Sequence, residues 1–247
     1  MKITAYKTHK ITEKDNNLFK ILDHYLPKIK ERSVVVVTSK IVAICEGSMI
    51  KIGKKDKKEL IKKESSFYLP SEKNKYGVML TIKNNMLLAS AGIDESNSNN
   101  HYVLLPTNPQ KSANEIRSYL MKKFSLKHVG VIITDSKTSP LRWGVTGIGI
   151  AHSGFHALNN YIGQEDLFGR TLKMTKVNVL DGLAVSAVLV MGEGKEQTPL
   201  AVIEDIPFAQ FQKGNPTKQQ LHDLIIEPKD DLYHELLEGV QWKKGEG

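Results

Sequence analysis

The sequence predicts a mixed α/β chain, and three observations carry that prediction. Residues 34–44 (VVVVTSKIVAI) and 128–134 (HVGVIIT) are rich in β-branched types and bounded by turn residues, as strands buried on both faces are. Leu18, Ile21, Leu22, Tyr25 and Leu26 recur at helical spacing, as do Ile116, Leu120 and Phe124. Two short apolar runs, 78–83 and 86–90, flank Asn84-Asn85, a pair that tolerates the positive φ of a two-residue hairpin.

Taken in order, a strand over 2–7 leads to the first helix, which Asp15 is placed to cap. The 34–44 strand ends at Glu46-Gly47, and the Asn84-Asn85 hairpin follows. Ser112 and Glu115 read as a capping box, each side chain satisfying an orphan amide of a helix that runs to about Lys123. Strand 128–134 delivers Asp135 at its C-terminal end, the usual position of a functional carboxylate in such sheets. After a glycine-rich stretch (Gly144, Gly147, Gly149, Gly154) come a strand at 173–178 and a helix at 181–191. That helix has Leu183, Ala184, Ala187, Val188 and Met191 inward and stops at Gly192; a last strand covers 199–204. The expected organisation is one domain over 1–213, with room for two subdomains, and a helical or flexible tail over 214–247 whose polar end, GVQWKKGEG, frays.

Composition narrows the classes of function. A chain of 247 residues, 40% apolar and 25% charged, is ordinary for a globular enzyme. One cysteine, Cys45, allows no internal disulfide and fits a reducing cytoplasm, and no run approaches the ~20 apolar residues that cross a bilayer. The net charge of +8 is concentrated between Lys51 and Lys63, where seven lysines face Asp56 and Glu59. No arginine or aromatic interleaves that run as a base-stacking surface requires, so a solvated face is expected and nucleic acid is not. No Gly-x-x-x-x-Gly-Lys-Ser/Thr sequence occurs, and Gly147-x-Gly149 is followed by His152 where a dinucleotide fingerprint needs glycine.

Acids and amides instead gather at the ends of apolar segments: Gly92-Ile93-Asp94-Glu95-Ser96-Asn97, Thr134-Asp135-Ser136 and Met191-Gly192-Glu193-Gly194. Hard divalent cations at a nucleotide take oxygen ligands of this kind, although each acid taken singly also suits a turn or a cap. His152 and His156, four apart, have no third ligand at a zinc spacing, and Cys45 has no neighbour to activate its thiol. Arg142 and Arg170 sit in loops, where a guanidinium can clamp carboxylate or phosphate oxygens or form a structural ion pair.

Five segments in order resemble the coenzyme F420-0:γ-glutamyl ligase family, over about residues 33–208. They are VVVVTSKIVAICEG, AGIDESN with the LLP-containing run to Arg117, VGVIITDS with Arg142, the GxxDLFGR element at 163–170, and DGLAVSAVLVMGEG. The resemblance implies the family's own mixed α/β fold, an intertwined homodimer, and ligation of L-glutamate at the expense of ATP or GTP with two Mg²⁺ or Mn²⁺ ions, K⁺ being a further candidate. Asp94, Asp135, Ser136 and Glu193 match its metal ligands. Ser39, Lys40, Asn97, Met191, Gly192 and Gly194 match its nucleotide contacts, with Thr8 to Ile11 in a similar position. Lys40 and Arg142 match basic groups at the reacting centre.

Three departures bear on the acceptor. Ile44 stands where the family has a lysine, Lys137-Thr138-Ser139 replaces a Gly-Arg-containing signature, and Glu193 stands where glutamine is common. Strand alternation would put Lys40 on the same side as position 44, so Lys40 is expected to replace the missing lysine. Loss of the Gly-Arg guanidinium leads us to expect a folate- or pterin-like acceptor, as in a bacterial folate-pathway branch, in place of the deazaflavin. The alternatives are the coenzyme F420-0 ligase proper and an inactive nucleotide- or metabolite-binding homologue.

Overall fold

Val34, Val35, Val36 and Val37 are wholly buried, and the strand they form is the middle of a five-stranded sheet. The computed structural model describes residues 1–247, the side chain of Lys73 excepted. In chain order the elements are β1 (Lys2–Tyr6), α1 (Leu18–Tyr25), β2 (Ser33–Thr38), α2 (Ser39–Glu46), β3 (Met49–Lys51), α3 (Lys57–Glu64), β4 (Phe67–Leu69), β5 (Leu80–Lys83), β6 (Met86–Ala89) and β7 (His101–Val103). Then follow α4 (Pro109–Phe124), β8 (Val129–Thr138), β9 (Val145–Ser153), β10 (Leu158–Asn160), β11 (Lys176–Asn178), α5 (Val179–Met191), β12 (Leu200–Glu204), α6 (Lys218–His222), α7 (His234–Glu238) and β13 (Lys243–Lys244).

The main sheet has the order β1-β12-β2-β8-β9, parallel between β2 and β8 and antiparallel elsewhere. Alternation sends Val35, Val37, Val131 and Ile133 to one face, against Ile21 and Leu22 of α1, Ile41 and Val42 of α2, and Ile116 and Leu120 of α4. It sends Val34, Val36 and Ile132 to the other face, against Leu180, Leu183, Ala184, Ala187 and Met191 of α5. Gly147 and Gly149 of β9 are needed there, because a Cβ at either would lie within 2.6 Å of α5 atoms. A second sheet, β13-β4-β5-β6, packs with α3 around Leu60, Ile61, Met79, Ile93 and Tyr102. Its β5–β6 hairpin turns through Asn84 and Asn85 at φ 49 and 58, as expected.

Several boundaries differ from the sequence reading. Residues 34–44 are a strand and then a helix: β2 stops at Thr38, and α2 closes at Gly47 with φ 76. Because Ile41, Val42, Ala43 and Ile44 are all buried, the helical period is hidden in a continuous apolar run. Asn17, not Asp15, caps α1, while Asp15 accepts hydrogen bonds from the Thr12 N–H and from His9. The Ser112–Glu115 capping box is absent: α4 starts at Pro109 with Asn108 as its cap, and Ser112 bonds to Glu46. The tail end does not fray among the described residues, since β13 pairs with β4 and the Gly245 N–H donates to Ser66 O.

His152 on β9 is buried, and that burial, with the nearby His156, holds its imidazole down at about 4. The unfolded chain takes up this proton near pH 6.5 and the folded chain only near 4, so His152 withdraws stability as pH falls between those values. His152→Leu is expected to remove that dependence, worth up to about 3 kcal/mol, in denaturant unfolding followed from pH 7 to pH 4.

Candidate active site

The site forms where β2 and β8 run out side by side. Thr38, the last residue of β2, pairs with Thr134, so Ser39 at the start of α2 and Asp135 of β8 follow them side by side. Here β8 departs from expectation: it continues to Thr138, paired only with β9 after a register shift at Ile133/Thr134. Asp135 therefore lies within a strand, just beyond the parallel pairing. Ser39 and Lys40 open α2, whose first amides have no partner within the helix.

The loop after Gly92 supplies Asp94. Its carboxylate accepts from the Ser96 N–H at 2.8 Å, from the Ser96 hydroxyl at 2.9 Å and from Lys40 Nζ at 2.6 Å. Lys40 Nζ also donates to Ser96 O at 2.9 Å. Burial acts to raise the Asp94 pKa, but the Lys40 ammonium and the Ser96 donors outweigh it, and the group stays below its ordinary value. Asp135 goes the other way. Burial is the largest cause and the Asp94 charge adds to it; the Ser136 N–H, the Ser39 hydroxyl and Lys40 offset them only in part, so its carboxyl is pushed up to about 6.

The Met191–Thr198 loop closes this group from a third side. Ser136 donates to Glu193 Oε1 at 2.6 Å, and Asn97 Nδ2 donates to Gly194 O at 2.9 Å. The loop is held by Glu196, which accepts from the Gly194 N–H at 2.8 Å, and by Thr198, whose hydroxyl bonds to Met191 O. Gly192, at φ 79, leaves no room for a Cβ against Glu196. Gln197 O accepts from the Thr8 N–H at 2.8 Å, which brings the N-terminal 8–11 segment to the same place.

Of the residues named from sequence, Ser39, Lys40, Asp94, Asn97, Asp135, Ser136, Met191, Gly192, Glu193 and Gly194 thus lie on the segments that meet here, in three bonded groups: Lys40 with Asp94, Ser39 with Asp135, Ser136 and Glu193, and Asn97 with Gly194. Arg142 is not among them. It is exposed on the β8–β9 turn, and among the described residues its guanidinium has no hydrogen-bond or ion-pair partner. Arg170 is exposed as well, on a turn closed by Asp166. Lys40 and position 44 do share a side, as helix neighbours and not by strand alternation, and Ile44 is buried against Ala43 and Val103. Among the described residues no three His, Cys, Asp or Glu side chains converge closely enough to hold a metal ion as they stand. Asp94 faces Lys40, and Ser136 faces Glu193. Sequence reasoning missed Glu196, whose only signal is its place after two glycines. Cys45, expected at the end of a strand, lies in α2, where burial, then Asp15 and Glu46, push its thiol up to about 12.

This is an α/β scaffold with its acids and glycine loop at the strand ends, the class in which ligands bind at the C-terminal edge of a sheet. The chain belongs to the F420-0:γ-glutamyl ligase family, whose model matches residues 6–205. It is similar to proteins named coenzyme F420:L-glutamate ligase: 39% identical over 156 residues to that of Methanococcus maripaludis, covering 63% of this chain and 60% of the relative. The match to the Methanocaldococcus jannaschii protein is 34% over 234 residues, covering 88% and 90%. With Methanopyrus kandleri it is 38% over 157 residues, covering 63% and 61%. The chain thus spans about 60% of the first of these relatives. These relatives are archaeal, and their names carry coenzyme F420, which gives no support to the expected folate-pathway branch. Among the described residues no helix is long and apolar enough to cross a membrane.

Proposed function

We propose that this chain ligates L-glutamate through its amine to a carboxylate of a deazaflavin coenzyme of the F420 type, using ATP or GTP and divalent metal. The observation that carries the proposal is the meeting of Asp94, Asp135, Ser136 and Glu193 with Lys40 and the Met191–Thr198 loop at one strand end. The donor set suits Mg²⁺ or Mn²⁺: it is all oxygen, and a carboxyl raised to about 6 beside a second carboxylate is one that a cation would ionise. When bound, such ions supply positive charge for phosphoryl transfer. Asp94, Asp135, Ser136 and Glu193 would hold them.

The chemistry needs no nucleophile from the protein. The acceptor carboxylate attacks the γ-phosphorus, and the nucleoside diphosphate leaves. The glutamate amine then attacks the acyl phosphate, losing a proton and expelling phosphate as the amide forms. Both steps gather charge on oxygen, which the Lys40 ammonium and the free amides opening α2 are placed to meet. Sustained nucleoside diphosphate release, beyond one equivalent per site, should require glutamate, acceptor and metal together; sustained release unaffected by omitting glutamate would refute the proposal.

The same reading includes a homodimer. Leu141, Trp143, Leu167, Phe168, Met174 and Leu189 all leave more than four-fifths of their surface exposed. Arg142 stands between two of them, in the turn beyond the end of β8, which itself lies roughly 10 Å past Asp135. A catalytic part for Arg142 would then be played against a partner's site. Trp143→Arg is expected to shift the chain from dimer to monomer in light scattering and to lower ligation with it; an unchanged mass would refute this surface as the interface.

A further inference from the structure

The basic run that the sequence marks as a solvated face borders the candidate site. Strand β3 pairs with β7 so that Lys51 lies opposite His101, and the Ile52 N–H donates to Asn100 O at 3.1 Å. Lys57 Nζ lies 3.0 Å from Glu95, the residue next to Asp94. The 51–56 turn therefore runs along the same loop that presents Asp94 and Asn97. Within the run, Lys57, Lys58 and Lys62 have carboxylate partners in Glu95, Glu72 and Glu59. Lys51, Lys54, Lys55 and, on α3, Lys63 have none among the described residues; the first three are exposed along one turn, which the Lys54 N–H closes by donating to Lys51 O through Gly53 at φ 90.

We infer that this turn is a docking site for the anionic γ-glutamyl chain of an acceptor that already carries glutamate. The inference rests on the ligase reading, because each glutamate added leaves a new free carboxylate beside the site, and three unneutralised ammonium groups lie along the flanking loop. A multivalent chain of carboxylates matches spaced point charges, which need no bidentate geometry. The turn, Lys-Ile-Gly-Lys-Lys-Asp, offers no arginine and no aromatic ring on which a nucleobase would stack. Docking there would hold the product's older carboxylates while its newest one is in the site, favouring further additions over release.

Binding reads this without turnover, so a failed ligase assay leaves the result standing. Fluorescein-labelled tetra-γ-glutamate is titrated with the full chain, with the triple variant Lys51→Gln, Lys54→Gln, Lys55→Gln, and with a control variant Lys122→Gln, Lys218→Gln, Lys229→Gln that carries the same change of charge elsewhere. We expect at least a fivefold loss of affinity in the first variant only, and a wild-type affinity that falls as salt is raised. Equal affinity in all three proteins, equal loss in both variants, or tighter turn-dependent binding of a single-stranded oligonucleotide than of the glutamyl chain would each overturn the inference.

Discussion

Asp135→Asn is expected to lower ligation by at least about 100-fold and, in metal-free buffer at pH 7, to raise the melting temperature. The two effects share a cause. A carboxyl whose pKa is raised from 3.8 to about 6 leaves stability intact below the lower value, and the folded state loses stability as pH rises through the upper one. At neutral pH the ionised side chain, partly buried near Asp94, therefore costs at most about 3 kcal/mol, which the neutral amide would not. Mn²⁺ should stabilise the wild type by mass action and leave the variant little changed. Calorimetry with and without Mn²⁺, alongside an activity assay, checks all three. A variant that is less stable, still responsive to metal and still active would remove Asp135 from the metal set. Asp135 and His152 also titrate in the same window with opposite sign, so each single variant should expose the slope that the other group conceals.

Lys40→Met is expected to lower turnover by on the order of 100-fold or to raise the nucleotide KM comparably, with little change in the glutamate KM. Among the described residues Lys40 is the one ammonium bonded to Asp94, and it also reaches Ser96 O. Removing it leaves the Asp94 and Asp135 charges without it and takes away the positive charge that we propose stands for the absent lysine at Ile44. The acceptor-independent melting curve should fall slightly, because Asp94 loses a counter-charge in a half-buried position. Unchanged nucleotide dependence would place the phosphates elsewhere.

Much of this architecture was legible from residue pattern. The valine run, the Asn-Asn hairpin and the α5 face each express a local rule that tertiary structure left standing. The failures are equally local. Thr38-Ser39 does not announce a helix start, because Thr38 makes no side-chain cap bond and the residues after it are apolar on every side. Asp15 and Ser112 are proper cap types that found better partners in His9 and Glu46, groups distant in sequence or set by loop shape. The candidate residues could be named from the sequence, since their order in five segments carries the family pattern. Their contacts were not legible: that Lys40 pairs with Asp94, that Glu196 shapes the glycine loop, or that the lysine-rich turn borders the acids depends on contacts between elements far apart in the chain. Arg142 stands apart from these residues within the single chain, because its neighbourhood in sequence is not its neighbourhood in space.

The most direct measurement is transfer of labelled L-glutamate to the deazaflavin acceptor, run with Mg²⁺ or Mn²⁺ and either nucleotide, with amide product and nucleoside diphosphate counted together. One diphosphate released per amide formed, lost on omitting metal and lost in Asp94→Asn and Asp135→Asn, is the predicted result. Nucleotide hydrolysis without labelled amide, or amide formation that persists in both variants, would contradict it.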